Sequence, residues 1–221
     1  GGKLEKEALG DGRVVALTRE GFVPVKLDAD VHKGVAAKYE PEGFPTVILA
    51  TPSGEELFRV SGFRDSESML RVMRAAREKG PRMTELLARI KKNRKDVEAH
   101  EGLGRIYLDL GLAGSATEQF EAALKGGPSR SAANGAETDE ARIQFELARS
   151  LAADKEYARA AKLLEKLAAA APGPQTPRYY LELGRVLDGA GKPDKAKETF
   201  AKLAAAFPDS PEAEAARASA R

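Results

Sequence analysis

The stretch LGRIYLDLGLAGSATEQFEAALKGGP, residues 103–128, decides how most of this chain folds. Leu103 is followed by the small Gly104, and the next marked positions are Tyr107, Ala116, Phe120 and Pro128. Two further stretches keep the same offsets. Leu147-Ala148 is followed by Leu151, Ala160, Leu164 and Pro172, and Leu183-Gly184 by Leu187, Ala196, Phe200 and Pro208. A tight pattern of this kind has a physical reading. Two antiparallel helices cross closely where Gly104 meets the Ala116 region, so both residues must be small. Tyr107 and Phe120 fill the space beside the crossing. The proline stops the second helix and turns the chain. One such pair cannot bury its own apolar face, so stacking of successive pairs must supply the core.

The leucine-small, aromatic, alanine, phenylalanine and proline pattern resembles the tetratricopeptide repeat (TPR) family. The resemblance runs from about Asp96 to the end, with repeats at about 96–129, 140–173 and 176–209. The small residues at 104, 148 and 184 stand 44 and 36 residues apart, more than the usual period of about 34. The first excess fits Ser129–Thr138, a small, polar, glycine-containing stretch that reads as an exposed loop, a tolerated insertion. Ser210 as N-cap and Pro211 in the first turn open a capping helix over 210–221, polar through Glu212, Glu214, Arg217 and Arg221. Met83–Lys92 reads as a helix leading into the first repeat.

The N-terminal third has a different grammar. Val23–Asp28 alternates like a strand, although Pro24 argues against full pairing. Thr46–Ala50, the Thr51–Gly54 turn and Glu55–Val60 read as a hairpin. Leu4–Leu9, Arg13–Arg19, Val31–Tyr39 and Ser66–Lys79 read as helices, the last with Met69, Leu70, Val72 and Met73 on its apolar face. Gly80-Pro81 is the expected boundary, which divides the chain into domains 1–80 and 81–221. Gly43-Phe44-Pro45-Thr46 with the following strand, turn and Glu55–Phe63 resembles the thioredoxin superfamily, most closely the branch that includes the C-terminal domain of DsbD-type transporters. Lys3–Leu9 looks like the helix that follows that family's CxxC motif. The resemblance implies a cis bond at Pro45 and a peptide-facing surface at Phe44, Pro45 and Thr46. It also places that family's central strand and CxxC before residue 1, so this part reads either as a fragment whose CxxC lies upstream or as a degenerate, binding-only relative. The expected fold class is therefore α+β: a truncated thioredoxin-like α/β domain followed by an all-α TPR superhelix of about three repeats plus a capping helix. A sheet without its central strand would leave an exposed edge and a thinly covered core, to be completed by a replacement strand, from a neighbouring chain for instance.

Composition narrows the function. Of 221 residues, 42% are hydrophobic and 32% charged, which suits a folded soluble protein. The net charge of +2 gives no global pull toward nucleic acid or an anionic membrane. No apolar run is long enough to span a bilayer, and no signal-peptide pattern is read in the opening residues, which begin at Gly1 rather than Met. The chain has no cysteine, so it can form no disulfide and carry out no thiol-disulfide exchange by itself. His32 and His100 are read as structural, and neither metal nor cofactor is expected. Asp28, Asp30 and His32 admit a metal or acid-base reading, but turn chemistry explains them more simply.

Candidate binding residues lie on the first helix of each repeat. Arg105, Arg149 and Arg185 directly follow the small crossing residue, at a place that faces the concave groove in the TPR family. Arg142 and Arg178, two turns earlier, are expected to face the same way, with Phe145 and Leu181 adding apolar contact. A ladder of guanidiniums could hold carboxylates bidentately, which implies an extended or helical peptide of acidic character. The competing reading has these arginines solvating the helix faces and pairing with Glu98, Glu101, Asp109 and Asp188. Three functions follow: a protein-interaction module, a thioredoxin-family oxidoreductase whose CxxC lies upstream and whose repeats recruit substrate, or a spacer in a larger complex. The envelope-type resemblance favours a periplasmic or cell-envelope location, with the cytoplasm as the alternative.

Overall fold

The computed structural model describes residues 5–41, 43–62, 65–127, 139–170 and 173–219. The chain divides into two compact units, Gly1–Ala88 and Arg89–Arg221.

The first unit opens with a π-helical turn, Glu5–Leu9, and helix α1, Gly12–Gly21. Asp11 caps α1 by accepting the Arg13 N–H at 2.8 Å, and its carboxyl is held far below the usual range by hydrogen bonds from the Arg13 side chain and backbone. Helix α2, Lys33–Tyr39, precedes the hairpin β1, Thr46–Ala50, and β2, Glu56–Ser61. The strands pair antiparallel, Val47 opposite Val60 and Leu49 opposite Phe58, with an irregularity at Leu49/Ala50. Arg59 ties the hairpin to α2 by donating to the Tyr39 and Glu40 carbonyls. Val47 and Leu49, on one face of β1, pack on a core of Ala8, Val14, Met69, Leu70 and Met73. The hairpin thus follows the expected pattern, and the Phe44–Pro45 bond is cis.

Two expectations are corrected here. Val23–Asp28 forms no strand among the described residues. An alternating segment becomes a strand only when a neighbour supplies a hydrogen-bond ladder and a covered face. The described sheet has only β1 and β2, and Pro24 cannot donate, so Val23 and Val25 stand 89% and 70% exposed. Every large apolar side chain that is exposed among the described residues lies between Leu9 and Phe44. The second correction concerns Gly80-Pro81. The two helices expected on either side of it are one, α3, Ser66–Lys92, with Pro81 inside, and the compact units divide at Ala88/Arg89. Proline removes one helix hydrogen bond, at a cost of about 3 kcal/mol. Against this stand the buried residues on both sides of it, Met69 to Ala76 before and Met83 and Leu86 after. Gly80 is buried against Leu57, where an added methyl would lie 3.6 Å from its Cδ1, an ordinary contact.

The second unit is helical throughout its described residues: α4 Val97–Asp109, α5 Ala113–Lys125, α6 Asp139–Ala153, α7 Tyr157–Ala169, α8 Thr176–Gly189, α9 Pro193–Ala206 and α10 Pro211–Ser219. Each helix packs on the next, and the first helices of successive pairs also touch, α4 with α6 and α6 with α8. Asp96 caps α4 through the Ala99 N–H and is gripped by Arg89 at 2.8 and 2.9 Å. That guanidinium draws the Asp96 carboxyl below its ordinary range; burial opposes the shift and the Ala99 N–H adds to it. Left-turning connections at Gly111 and Gly191, φ 71° and 70°, close the first and third hairpins. One continuous core runs from Ala116 and Phe120 through Leu147, Ala148 and Leu164 to Phe200 and Ala216. The prolines Pro128 and Pro172, the loop Ser129–Thr138, and Lys3, Leu4, Phe63 and Arg221 lie outside the described residues.

Candidate functional site

Helix crossings orient the candidate site. A methyl group on Gly104 would meet the Phe120 ring at 2.7–2.9 Å, and Gly184 faces Phe200 more tightly still. The small residue is therefore required by the aromatic ring of the second helix; Ala116 and Ala196 are buried beside it. Where the second helix carries Leu164 instead, the crossing residue is Ala148. With that face pinned inward, the next residue turns outward. Within residues 99–108, 141–152 and 176–187, the exposed positions are Arg105, Arg149 and Arg185 alone.

Each of these guanidiniums has a carboxylate on its own helix: Arg105 with Glu101 at 3.0 Å, Arg149 with Glu146 at 3.0 Å, and Arg185 with Glu182 at 3.6 Å. The acids are sheltered, 8%, 15% and 21% exposed, whereas the arginines are about half exposed. Glu101 also takes Arg142 from the next first helix. That shared carboxylate places Arg105 on the side where first helices meet. Glu146 and Glu182 were missed in the sequence, although a Glu-Leu-small-Arg quartet recurs at 146–149 and 182–185 and puts acid and base on one helix face.

The other expected groove residues have a different place. Arg142 bonds Asp139 at 2.8 Å and Glu101 between repeats. Burial works against its charge, but hydrogen bonds and attraction from Asp139 and Glu101 outweigh it and raise its pKa. Arg178, at the matching position one repeat on, lies 4.3 Å over the Phe145 ring and 5.6 Å from that of Tyr179. Both arginines thus reach back to the same position on the preceding first helix, Glu101 in one case and Phe145 in the other. They clasp neighbouring repeats. Phe145 and Leu181 are buried, so neither offers an apolar surface to a ligand.

Models described as tetratricopeptide repeat match residues 54–131 and 151–220. The chain carries tetratricopeptide repeats. A kinesin light chain structure from Podosopora anserina, with nearly identical TPR-like repeats, aligns over 70% of this chain and 82% of its own at 18% identity, with a TM-score of 0.53. MamA aligns over 60% and 72% at 24% identity and a TM-score of 0.48. A protein disulfide-isomerase of Schizosaccharomyces pombe is 48% identical over 44 residues, 20% of this chain; the chain spans only 12% of that relative's length.

In TPR terms, α4/α5, α6/α7 and α8/α9 are three repeats, and α10 packs on α9 and α8 as a further first helix would. Second helices are linked as well: Arg159 of α7 bonds Glu121 of α5 at 2.6 Å. Outside the TPR unit, Phe44 is 73% exposed beside Pro45, whose carbonyl accepts the Gly62 N–H at 2.9 Å, and Thr46 begins β1 by donating to Gly43. Asp28 serves a turn, accepting the Asp30 N–H with its side chain and the His32 N–H with its carbonyl. His100 is buried between Gln119 and the Arg94 carbonyl. No helix among the described residues is long and apolar enough to cross a membrane.

Proposed function

We propose that the TPR unit holds an acidic peptide segment of a partner protein on the row formed by Arg105, Arg149 and Arg185. The observation that carries this reading is their place: in three successive repeats the single exposed position in the body of the first helix is an arginine. Each guanidinium offers five N–H donors and meets one carboxylate of the chain, so donors remain for a guest. Planar bidentate capture of carboxylates is what guanidinium does better than ammonium. Fluorescence anisotropy of the full chain with a glutamate-rich peptide and its glutamine counterpart tests the reading. The glutamate peptide should bind and its affinity fall at least tenfold in Arg149→Glu; equal affinity for both peptides would refute it.

A second reading concerns the first unit. The helix–hairpin–helix order around Phe44-Pro45-Thr46, together with the short similarity to a disulfide isomerase, supports a thioredoxin-like domain, for which the repeats would recruit substrate. An envelope location belongs to this reading. Its test is the coding sequence upstream of Gly1 and the insulin-reduction activity of the longer product. A CxxC with activity would support it, and a longer product lacking both would remove it.

A further inference from the structure

We infer that Glu146 and Glu182 are positioning residues, which hold Arg149 and Arg185 in one matched orientation to receive two carboxylates spaced one repeat apart. The inference rests on the peptide reading above and gives it a ligand pattern. In both repeats the acid stands three residues before the arginine and faces the same nitrogen, Nη1: Glu146 accepts a hydrogen bond from Arg149 at 3.0 Å, and Glu182 forms an ion pair with Arg185 at 3.6 Å. That leaves the Nε–Nη2 edge of each fork, the edge suited to a bidentate carboxylate. The first repeat is built differently. There the acid stands four residues before Arg105, meets Nη2, and is shared with Arg142. The matched pair is therefore Arg149 and Arg185. Helices in contact lie roughly 8–10 Å apart, and a polyproline II peptide advances about 3.1 Å per residue with three residues per turn, so side chains three apart share one face about 9 Å apart. The fitting ligand is a Glu-x-x-Glu segment in polyproline II conformation.

If charge alone governed binding, removing a carboxylate beside the arginines would tighten an acidic ligand. If Glu146 and Glu182 position the forks, removing either frees a long side chain that the ligand must then order, and affinity falls about threefold to tenfold. The experiment titrates the full chain and its Glu146→Ala and Glu182→Ala variants with a labelled Glu-x-x-Glu peptide, and with one whose two glutamates are adjacent. Weaker binding in both variants, with preference for the spaced peptide in the unaltered protein, is the expected result; unchanged or tighter binding overturns the inference. A ligand-free arm separates the two ideas. The nitrogen-15 heteronuclear NOE of the Arg149 and Arg185 Nε–H groups should be high in the unaltered chain and drop in the matching glutamate variant. An NOE equally low before substitution overturns the positioning role. If instead no acidic peptide binds while the NOE behaves as expected, the peptide reading fails and the positioning stands.

Discussion

Replacing Gly104 by alanine tests the helix crossing on which the repeat rests. In an ordinary helix this change stabilises by about 0.8–1.0 kcal/mol, because alanine loses less backbone freedom. Here the new methyl would lie 2.7, 2.9 and 2.9 Å from three carbons of the Phe120 ring. The ring is fully buried, so it has no solvent to swing into, and the second helix must shift. Three contacts below 3.0 Å to a buried ring put the cost in the upper half of the usual range of about 1–3 kcal/mol for overpacking, about 2–3 kcal/mol, so a net loss of about 1–2 kcal/mol remains after the propensity gain. At roughly 2–4 °C per kcal/mol for a chain of this size, the melting temperature followed by circular dichroism should drop by about 2–8 °C. Two companions make the reasoning sharp. Gly114→Ala, also helical but with nothing within 4 Å of the added methyl, should be neutral or slightly stabilising. Phe120→Leu in the Gly104→Ala background should recover stability relative to the sum of the single changes, because alanine opposite leucine is the pairing found at Ala148 and Leu164. A Gly104→Ala protein as stable as the original would refute the crossing geometry.

Other consequences are open to measurement. Asp96 is depressed in the folded state, so its contribution is present above the unfolded carboxyl pKa of about 3.9 and is lost as pH falls through the lower folded value; Asp96→Ala should cost about 0.5–2 kcal/mol at neutral pH and flatten the acid limb of urea-monitored stability. Arg142→Ala should destabilise more than Arg105→Ala, although both reach Glu101, because the former removes a link between repeats and the latter a half-exposed pair within one helix worth about 0–1 kcal/mol; equal urea midpoints would contradict the clasp. Val25→Ser should shift stability by no more than about 0.5 kcal/mol, since Val25 is exposed; a large loss would mean that Val23–Asp28 is packed after all.

The helical unit was legible because its signal is physical and repeated: Gly104, Ala116 and Phe120 constrain one another, and the same offsets recur twice. The detail of the crossing was not, because spacing alone paired Gly104 with Ala116, whereas the ring of Phe120 lies over it. That Arg105, Arg149 and Arg185 turn outward was legible from register, but the destination of Arg142 and Arg178 was not. Whether an arginine faces a groove or a neighbouring repeat depends on what stands opposite, Glu101 or Phe145, and that is a property of the stack. The hairpin was legible from alternation and the Pro-Ser-Gly turn. Val23–Asp28 alternates equally well, and only the lack of a described partner strand separates it from Thr46–Ala50. Gly80-Pro81 misled because helix punctuation is local, while the burial of Met83 and Leu86 that carries α3 onward is tertiary.

The central claim is that the stacked repeats present a row of arginines to an acidic guest. Isothermal titration of the full chain and of an Arg105→Gln/Arg149→Gln/Arg185→Gln variant with one glutamate-bearing peptide, at two salt concentrations, tests it most directly. The account expects binding that weakens with salt and is lost in the variant, while the helical circular dichroism is kept. Equal affinity in both proteins would contradict it.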